Sequence, residues 1–166
     1  MTNIDNGSLY IFSSKWNVWI HPVSDTNWKL DSYKKIYVIS NISEFWLFLN
    51  NFKKLDYRNY YYYIMRDGIN PMWEDPININ GGICSFKLHI DKFMEVWTLL
   101  CMHAVNETLI PTVNDITGIN FNPKNNCALL KIWNKNKNNN ISNLLNPDVI
   151  LQCNNISIQY KQMDQS

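Results

Sequence analysis

Trp28 and Trp73 lie in polar, turn-forming segments, HPVSDTNWKLDS and DGINPMWEDPININGG. Loops run over the surface, so an indole there needs an explanation that a Trp in a strand or helix does not. Two exposed indoles could enclose a flat π-system. Base–aromatic stacking contributes roughly 1–3 kcal/mol per base, and a cationic ring adds on the order of 2 kcal/mol when water is excluded. The alternative is that both rings fold back onto the edge of the core. Glu74 follows Trp73 directly. A carboxylate only accepts hydrogen bonds and takes two parallel N–H donors. The Watson–Crick edge of guanine offers such a pair, its N1–H and its amino group, at roughly 1.5–3 kcal/mol per charge-assisted bond. The alternative for Glu74 is a solvated surface acid or a cap.

Other chemistries find little support. The 166 residues fit one domain, 1–166, with 1–14 as a flexible N-terminal arm. A net charge of +1 excludes a general nucleic-acid coat, which needs many phosphate-neutralising cations, but leaves room for a site holding one or two nucleotides. A hydrophobic content of 46% argues against disorder. No GxSxG, HExxH, P-loop or GxGxxG pattern occurs, and Glu74 and Asp75 are neighbours rather than a facing acid–base pair, so no catalytic residues are expected. Cys84, Cys101, Cys127 and Cys153 form no CxxC pair, and His21, His89 and His103 lack ligand spacing, so no metal and no cofactor are expected. With no apolar leader and no membrane-length apolar run, the expectation is a cytoplasmic monomer with reduced thiols and no membrane partner. The 26 Asn residues point to an AT-rich genome rather than to a function.

These residues need elements to position them. Residues 15–21 alternate as a strand, with Trp16, Val18 and Ile20 on one face and Trp19 on the other. Residues 35–39 and 60–66 read as further strands. Between them Asn41 and Glu44 form a capping-box pattern opening a helix with apolar positions at Ile42, Phe45, Trp46, Leu49 and Phe52. A breaker-rich loop over 67–82 carries Trp73. Residues 85–90 read as a strand, and 91–105 as a helix with Asp91 as N-cap. Two strands, 117–121 and 127–133, precede a polar loop over 134–140 that reads as basic and mobile at Lys135 and Lys137. Asn146-Pro147 opens a short helix, and 157–160 is a last strand. About seven strands and three helices in mixed order favour an α+β fold: a curved antiparallel sheet with the helices on its convex face.

The run DGINPMWEDP at 67–76 closely resembles the hallmark loop of the eukaryotic translation initiation factor 4E family, which binds the 7-methylguanosine 5′ cap of mRNA. The resemblance extends in order through KWNVWI, Trp28, NISEFWLFLNN, TLLC and KIW, from about residue 15 to 160. It implies a cupped sheet backed by helices. It implies that Trp28 and Trp73 sandwich the methylated, cationic guanine, that Glu74 reads its edge, and that Trp133 touches the N7-methyl group. Lys124 then falls on a phosphate-binding position, with Asn122 beside it. Asn126 and Leu129 stand where the family carries further lysines, and Ile83-Cys84 where it carries Arg-Trp. The triphosphate grip is therefore expected to be reduced, or rebuilt from Lys131, Lys135 or Lys137.

The resemblance also implies a dorsal surface for a helical peptide of scaffold factors or repressors, with a Tyr-x4-Leu-apolar motif. Tyr10, Ile11, Ile42, Trp46, Val96 and Leu100 match its contacts. The family's acidic contact falls on Trp97, with Glu95 nearby. Capped mRNA and such a helix are the expected partners. A decoy acting through the dorsal face with weak cap binding, and a sugar-binding protein with Trp platforms, are the competing readings. The Asn-, Ile- and Lys-rich composition and the short ends suit a viral or protist member.

Overall fold

A computed structural model describes residues 9–112 and 114–163. Seven strands form one antiparallel sheet: β1 (Ile11–Pro22), β2 (Lys34–Asn41), β3 (Tyr60–Arg66), β4 (Gly82–His89), β5 (Ile116–Pro123), β6 (Cys127–Asn134) and β7 (Ser157–Gln162). Their order across the sheet is β2-β1-β3-β5-β6-β4-β7. Three helices, α1 (Ile42–Asn51), α2 (Phe93–Val105) and α3 (Pro147–Gln152), accompany it.

The strands form because β-branched and aromatic residues fit a pleated, half-buried surface. β3 shows this most clearly. Tyr62 and Ile64 enter the main core, whereas Tyr61, Tyr63 and Met65 face the other side with Trp133. In β1, Trp16 and Val18 are fully buried in the core and Trp19 lies on the opposite face. All three helices pack on the core side, through Phe45, Phe48 and Leu49 of α1, Phe93, Val96, Trp97 and Leu100 of α2, and Val149 of α3. Phe52, just beyond α1, meets Tyr57, Tyr62, Phe93, Trp97 and Phe121 with ring centroids 5.0–6.1 Å apart. Burying each such side chain contributes roughly 1.5–3 kcal/mol. Among the described residues none of these three helices packs on the other face of the sheet, and it is this open face that forms the site.

Helix ends follow local chemistry in two cases out of three. Asn41 accepts from the Glu44 amide at 3.0 Å, and the Glu44 carboxylate returns to the Ser40 amide and hydroxyl, each at 2.7 Å. Those Ser40 contacts hold the Glu44 carboxyl below its usual range. Asn146 accepts from the Asp148 amide, with Pro147 in the first turn. The expected cap at Asp91 is a correction: α2 begins at Phe93, Lys92 stands at its N-cap without a side-chain bond, and Asp91 lies near Arg58 instead. A flexible arm over 1–14 needs correction too. β1 already starts at Ile11, and the Ile42 amide donates to the Tyr10 carbonyl at 2.9 Å; residues 1–8 lie outside the described ones.

The Asn-rich loop after β6 is anchored rather than loose. Asn134 is fully buried, and its amide group donates to the Asn136 and Asn139 carbonyls and to Asp115. Gly81 packs against this loop so closely that a Cβ there would stand 1.9 Å from the Asn134 carbonyl oxygen.

Candidate functional site

Trp28 sits in the β1–β2 connection, a loop braced by Asn27. The Asn27 side chain bonds Asp31 and the Lys29 amide, and its own amide donates to Asp25. His21, fully buried near the end of β1, donates from Nε2 to the Asn27 carbonyl at 2.7 Å. Its ring lies flat behind the Trp28 indole, 4.3 Å away and 9° from parallel. Tyr61 completes the backing at 5.7 Å. One face of Trp28 is therefore held by protein and the indole remains 48% exposed.

Trp73 sits in the 67–81 loop. Gly68 opens the loop with φ +84°, a backbone region that glycine enters without steric cost. Asp75 is buried and accepts from the Asn70 and Ile77 amides at 2.9 Å. Asn78, fully buried, donates to the Asn70 and Met72 carbonyls. These two side chains replace a regular element: they tie the loop to itself and leave Trp73 44% exposed and Glu74 exposed beside it. Sequence reasoning gave Asp75 and Asn78 no bracing role; their place two and five residues after the indole, in a segment without periodicity, was the available signal.

Trp28 and Trp73 line one cavity of about 510 Å³. Its floor is the open face of the sheet. Tyr61, Tyr63 and Trp133 are on that floor, with Ile83 and Met163 beside them. Trp133 is oriented by a bond from its Nε1 to Asn120 at 2.7 Å, and Asn120 in turn donates to Asn122, which lines the cavity. Glu74 is at the rim, outside the lining. Burial raises the phenol pKa of Tyr33, a lining residue, and the Glu74 charge adds to that shift.

Three lysines reach the cavity: Lys124, Lys131 and Lys161. Lys124 places its ammonium 5.9 Å from the Tyr61 ring centre. Burial, then the neighbouring Lys124 charge, push the Lys131 ammonium below the ordinary Lys range. Lys135 and Lys137 do not line the cavity, a correction to the sequence expectation. Their backbone amides are committed to Asp115 and Asn80, and the Lys137 carbonyl accepts from the lining residue Gln162, so the loop is fixed beside the cavity without either lysine entering its lining. Lys161 was missed. It lies on β7 opposite Ile83 of β4, a cross-strand relation between residues nearly half the chain apart that leaves no local trace.

A sequence model of the family described as Eukaryotic initiation factor 4E matches residues 11–166. The chain belongs to that family. Eukaryotic translation initiation factor 4E-2 of Schizosaccharomyces pombe is 30% identical over 131 residues, 75% of this chain and 53% of that protein. The initiation factor 4E homolog of Acanthamoeba polyphaga mimivirus is 42% identical over 59 residues, 36% of this chain and 22% of that protein. The chain thus spans only part of these relatives. Among solved structures, the Ascaris suum eIF4E-3 complex with m7G cap superposes with a TM-score of 0.79 at 20% identity, covering 95% of this chain and 93% of that one. The complex of C. elegans eIF4E-3 with the 4E-binding protein Mextli and a cap analog gives 0.78 at 20%, covering 93% and 92%. At these identities the likeness establishes the fold: the curved 4E-like sheet with three helices on one side.

On the helix side, away from the 4E-like slot, Tyr10, Ile11 and Trp46 are 57%, 71% and 38% exposed, and Ile42 is half-buried beside Tyr10. Val96 and Leu100 are not surface residues, contrary to expectation. They are 3% and 0% exposed and pack in the core with Trp97. The outward stripe of α2 is instead Met94, Glu95, Thr98 and Leu99, which line a groove with Gln152. Glu95 accepts there from Gln152 at 3.1 Å. Among the described residues no helix is long and apolar enough to cross a membrane.

Proposed function

We propose that this chain binds the 7-methylguanosine 5′ cap of mRNA and acts in translation initiation. The observation that carries the reading is the pair Trp28 and Trp73: two half-exposed indoles from separate loops lining one cavity with Trp133 on its floor. A purine inserted between them would shed water on both faces, and methylation at N7 makes that purine a cation, which indoles hold better than a neutral ring. Glu74, exposed at the rim, accepts from the N1–H and amino group. Trp133 meets the methyl group, and Asn122 lies beside the phosphates. Lys124, Lys131 and Lys161 supply the positive charge that the family's missing Arg and Lys would have given. The cap complexes among the structural neighbours support the same reading. Retention on immobilised 7-methyl-GTP, with release by free 7-methyl-GTP but not by GTP, tests it; passage through the resin unretained would refute it.

The dorsal patch of Tyr10, Ile11, Ile42 and Trp46 takes a helical partner of the Tyr-x4-Leu-apolar kind, as the neighbours solved with 4E-binding proteins suggest. On α2, Leu99 and Glu95 replace the buried Val96, Leu100 and Trp97 as the groups that face such a helix.

A further inference from the structure

A second cavity of about 390 Å³ adjoins the slot and shares two of its lining residues, Tyr61 and Lys124. Val23, Arg58, Pro123 and Asn125 complete it. The cavity is large enough for a small polar ligand. Its lining contains two cations and no acid. The β5–β6 turn forms one wall, held by the Lys124 amide donating to the Cys127 carbonyl at 2.7 Å; the opposite wall is closed by the Val23 amide on the Asn59 carbonyl at 2.9 Å. Arg58 lies over the Tyr57 ring at 5.5 Å, and its side chain is 55% exposed. The acid it pairs with, Asp91, stands 3.9 Å away, is itself 71% exposed and is shared with His89. Such a pair contributes little in water and leaves the guanidinium free to exchange partners.

We propose that this cavity seats the RNA backbone that follows the cap, with a phosphodiester held between Lys124 and Arg58. The inference rests on the cap-binding reading, because Lys124 is the cation at which the triphosphate would leave the slot. A planar guanidinium offers a fork of donors to phosphate oxygens, and its contact reads charge rather than base sequence.

The test compares a capped dinucleotide with a capped pentanucleotide, which differ only by added nucleotides and phosphodiesters, by tryptophan quenching at two salt concentrations. The pentanucleotide should bind more tightly, and the gain should shrink about threefold per phosphate contact between roughly 50 and 200 mM salt. Arg58→Gln, at an exposed position, should abolish the gain and leave the dinucleotide affinity unchanged. Asp91→Asn, which removes the competing acid, should enlarge it. The proposal is overturned if the natural protein shows no gain, if the gain survives Arg58→Gln, or if Lys161→Gln alone removes it. Equal binding of capped and uncapped dinucleotides would instead refute the slot reading. The second cavity is then judged on an uncapped pentanucleotide, whose salt-dependent binding must fall in Arg58→Gln for the proposal to stand.

Discussion

On the helix-covered face of the sheet Trp16 and Trp97 are fully buried, and the Nε1 of each has no hydrogen-bond partner among the described residues. On the open face Trp28 and Trp73 are 48% and 44% exposed, and Trp133 is aimed by a bond to Asn120. The first pair serves as volume. Trp97 fills space beside Phe52 and Phe121, and Trp16 lies under the Arg66 guanidinium at 4.6 Å, which also pins Glu107 at the end of α2. The second set serves as oriented surface, held from behind by His21, Tyr61 and two polar loop braces. The same side chain does two jobs, and the difference lies in whether its second face has a protein neighbour. The covered face holds the larger core, whereas the open face carries a smaller buried cluster around Met65 and Trp133 and leaves the Trp28 and Trp73 indoles half in water.

Two substitutions bear hardest on this division. Phe52→Ala, at the centre of the aromatic core, should cost about 3–5 kcal/mol of stability in urea denaturation. The molecules still folded should bind 7-methyl-GTP with unchanged affinity. Trp73→Ala should do the opposite, lowering cap affinity by roughly 1–3 kcal/mol, about ten- to hundredfold, while moving stability by less than about 0.5 kcal/mol. A large loss of stability in Trp73→Ala would mean that the loop indole belongs to the core after all.

The next effect concerns the phosphates. Lys131→Met should reduce the advantage of 7-methyl-GTP over 7-methyl-GMP by about 1–2 kcal/mol, a charge-assisted bond discounted for solvent. Because the Lys131 ammonium is already below its ordinary range in the free protein, the sign of the pH dependence follows. A phosphate favours the charged form, so once the phosphates are fully ionised, above roughly pH 7, the advantage is complete and is then lost as pH rises through the Lys131 value, earlier than for an exposed lysine. Taking the ratio of the two nucleotides cancels any titration of the base. A ratio that stays flat in the natural protein until the ordinary Lys range, or that Lys131→Met leaves unchanged, would assign the grip to Lys124 and Lys161 alone. On the other face, Trp46→Ala should leave both nucleotides unaffected and weaken a Tyr-x4-Leu-apolar peptide by about 1–2 kcal/mol in calorimetry.

What was legible in the sequence was whatever local chemistry decides. β3 runs over the residues its alternation marks, and the Asn41 and Asn146-Pro147 caps form because Asn satisfies amides within three residues of itself. Asp91 has the same chemistry and fails as a cap because it lies in the turn closed by the Lys92 amide on the His89 carbonyl, and the helix starts only at Phe93. The phase of α2 was barely legible. FMEVWTLLCMHAV is apolar nearly all round, and only Glu95 and Thr98, three residues apart, mark the outward stripe, which the alignment to the family's contacts at Val96 and Leu100 overrode. Trp28, Trp73 and Glu74 stood out because an indole in a turn-rich loop is anomalous on its own. Lys161 did not, because it reaches the slot only through the pairing of β7 with β4.

The smallest effect probes how the open face keeps an exposed indole in place. His21 makes two contributions that a single substitution can separate: a flat ring behind Trp28, and an Nε2 bond to the carbonyl of Asn27, the residue before it. Its Nδ1 is buried without a partner among the described residues, so the ring gains nothing further from being a histidine. His21→Phe keeps the stack and removes the bond, which should cost about 0.5–1.5 kcal/mol of cap affinity through a loosened loop, with little change in melting temperature. His21→Ala removes both and should cost more. If His21→Phe binds 7-methyl-GTP as the natural protein does, the flat ring alone orients the wall, and the Asn27 braces to Asp25, Asp31 and Lys29 suffice to hold the loop. If it binds less well while an equally conservative change behind Trp16 leaves affinity untouched, then the open face depends on directed bonds where the covered face depends on packing.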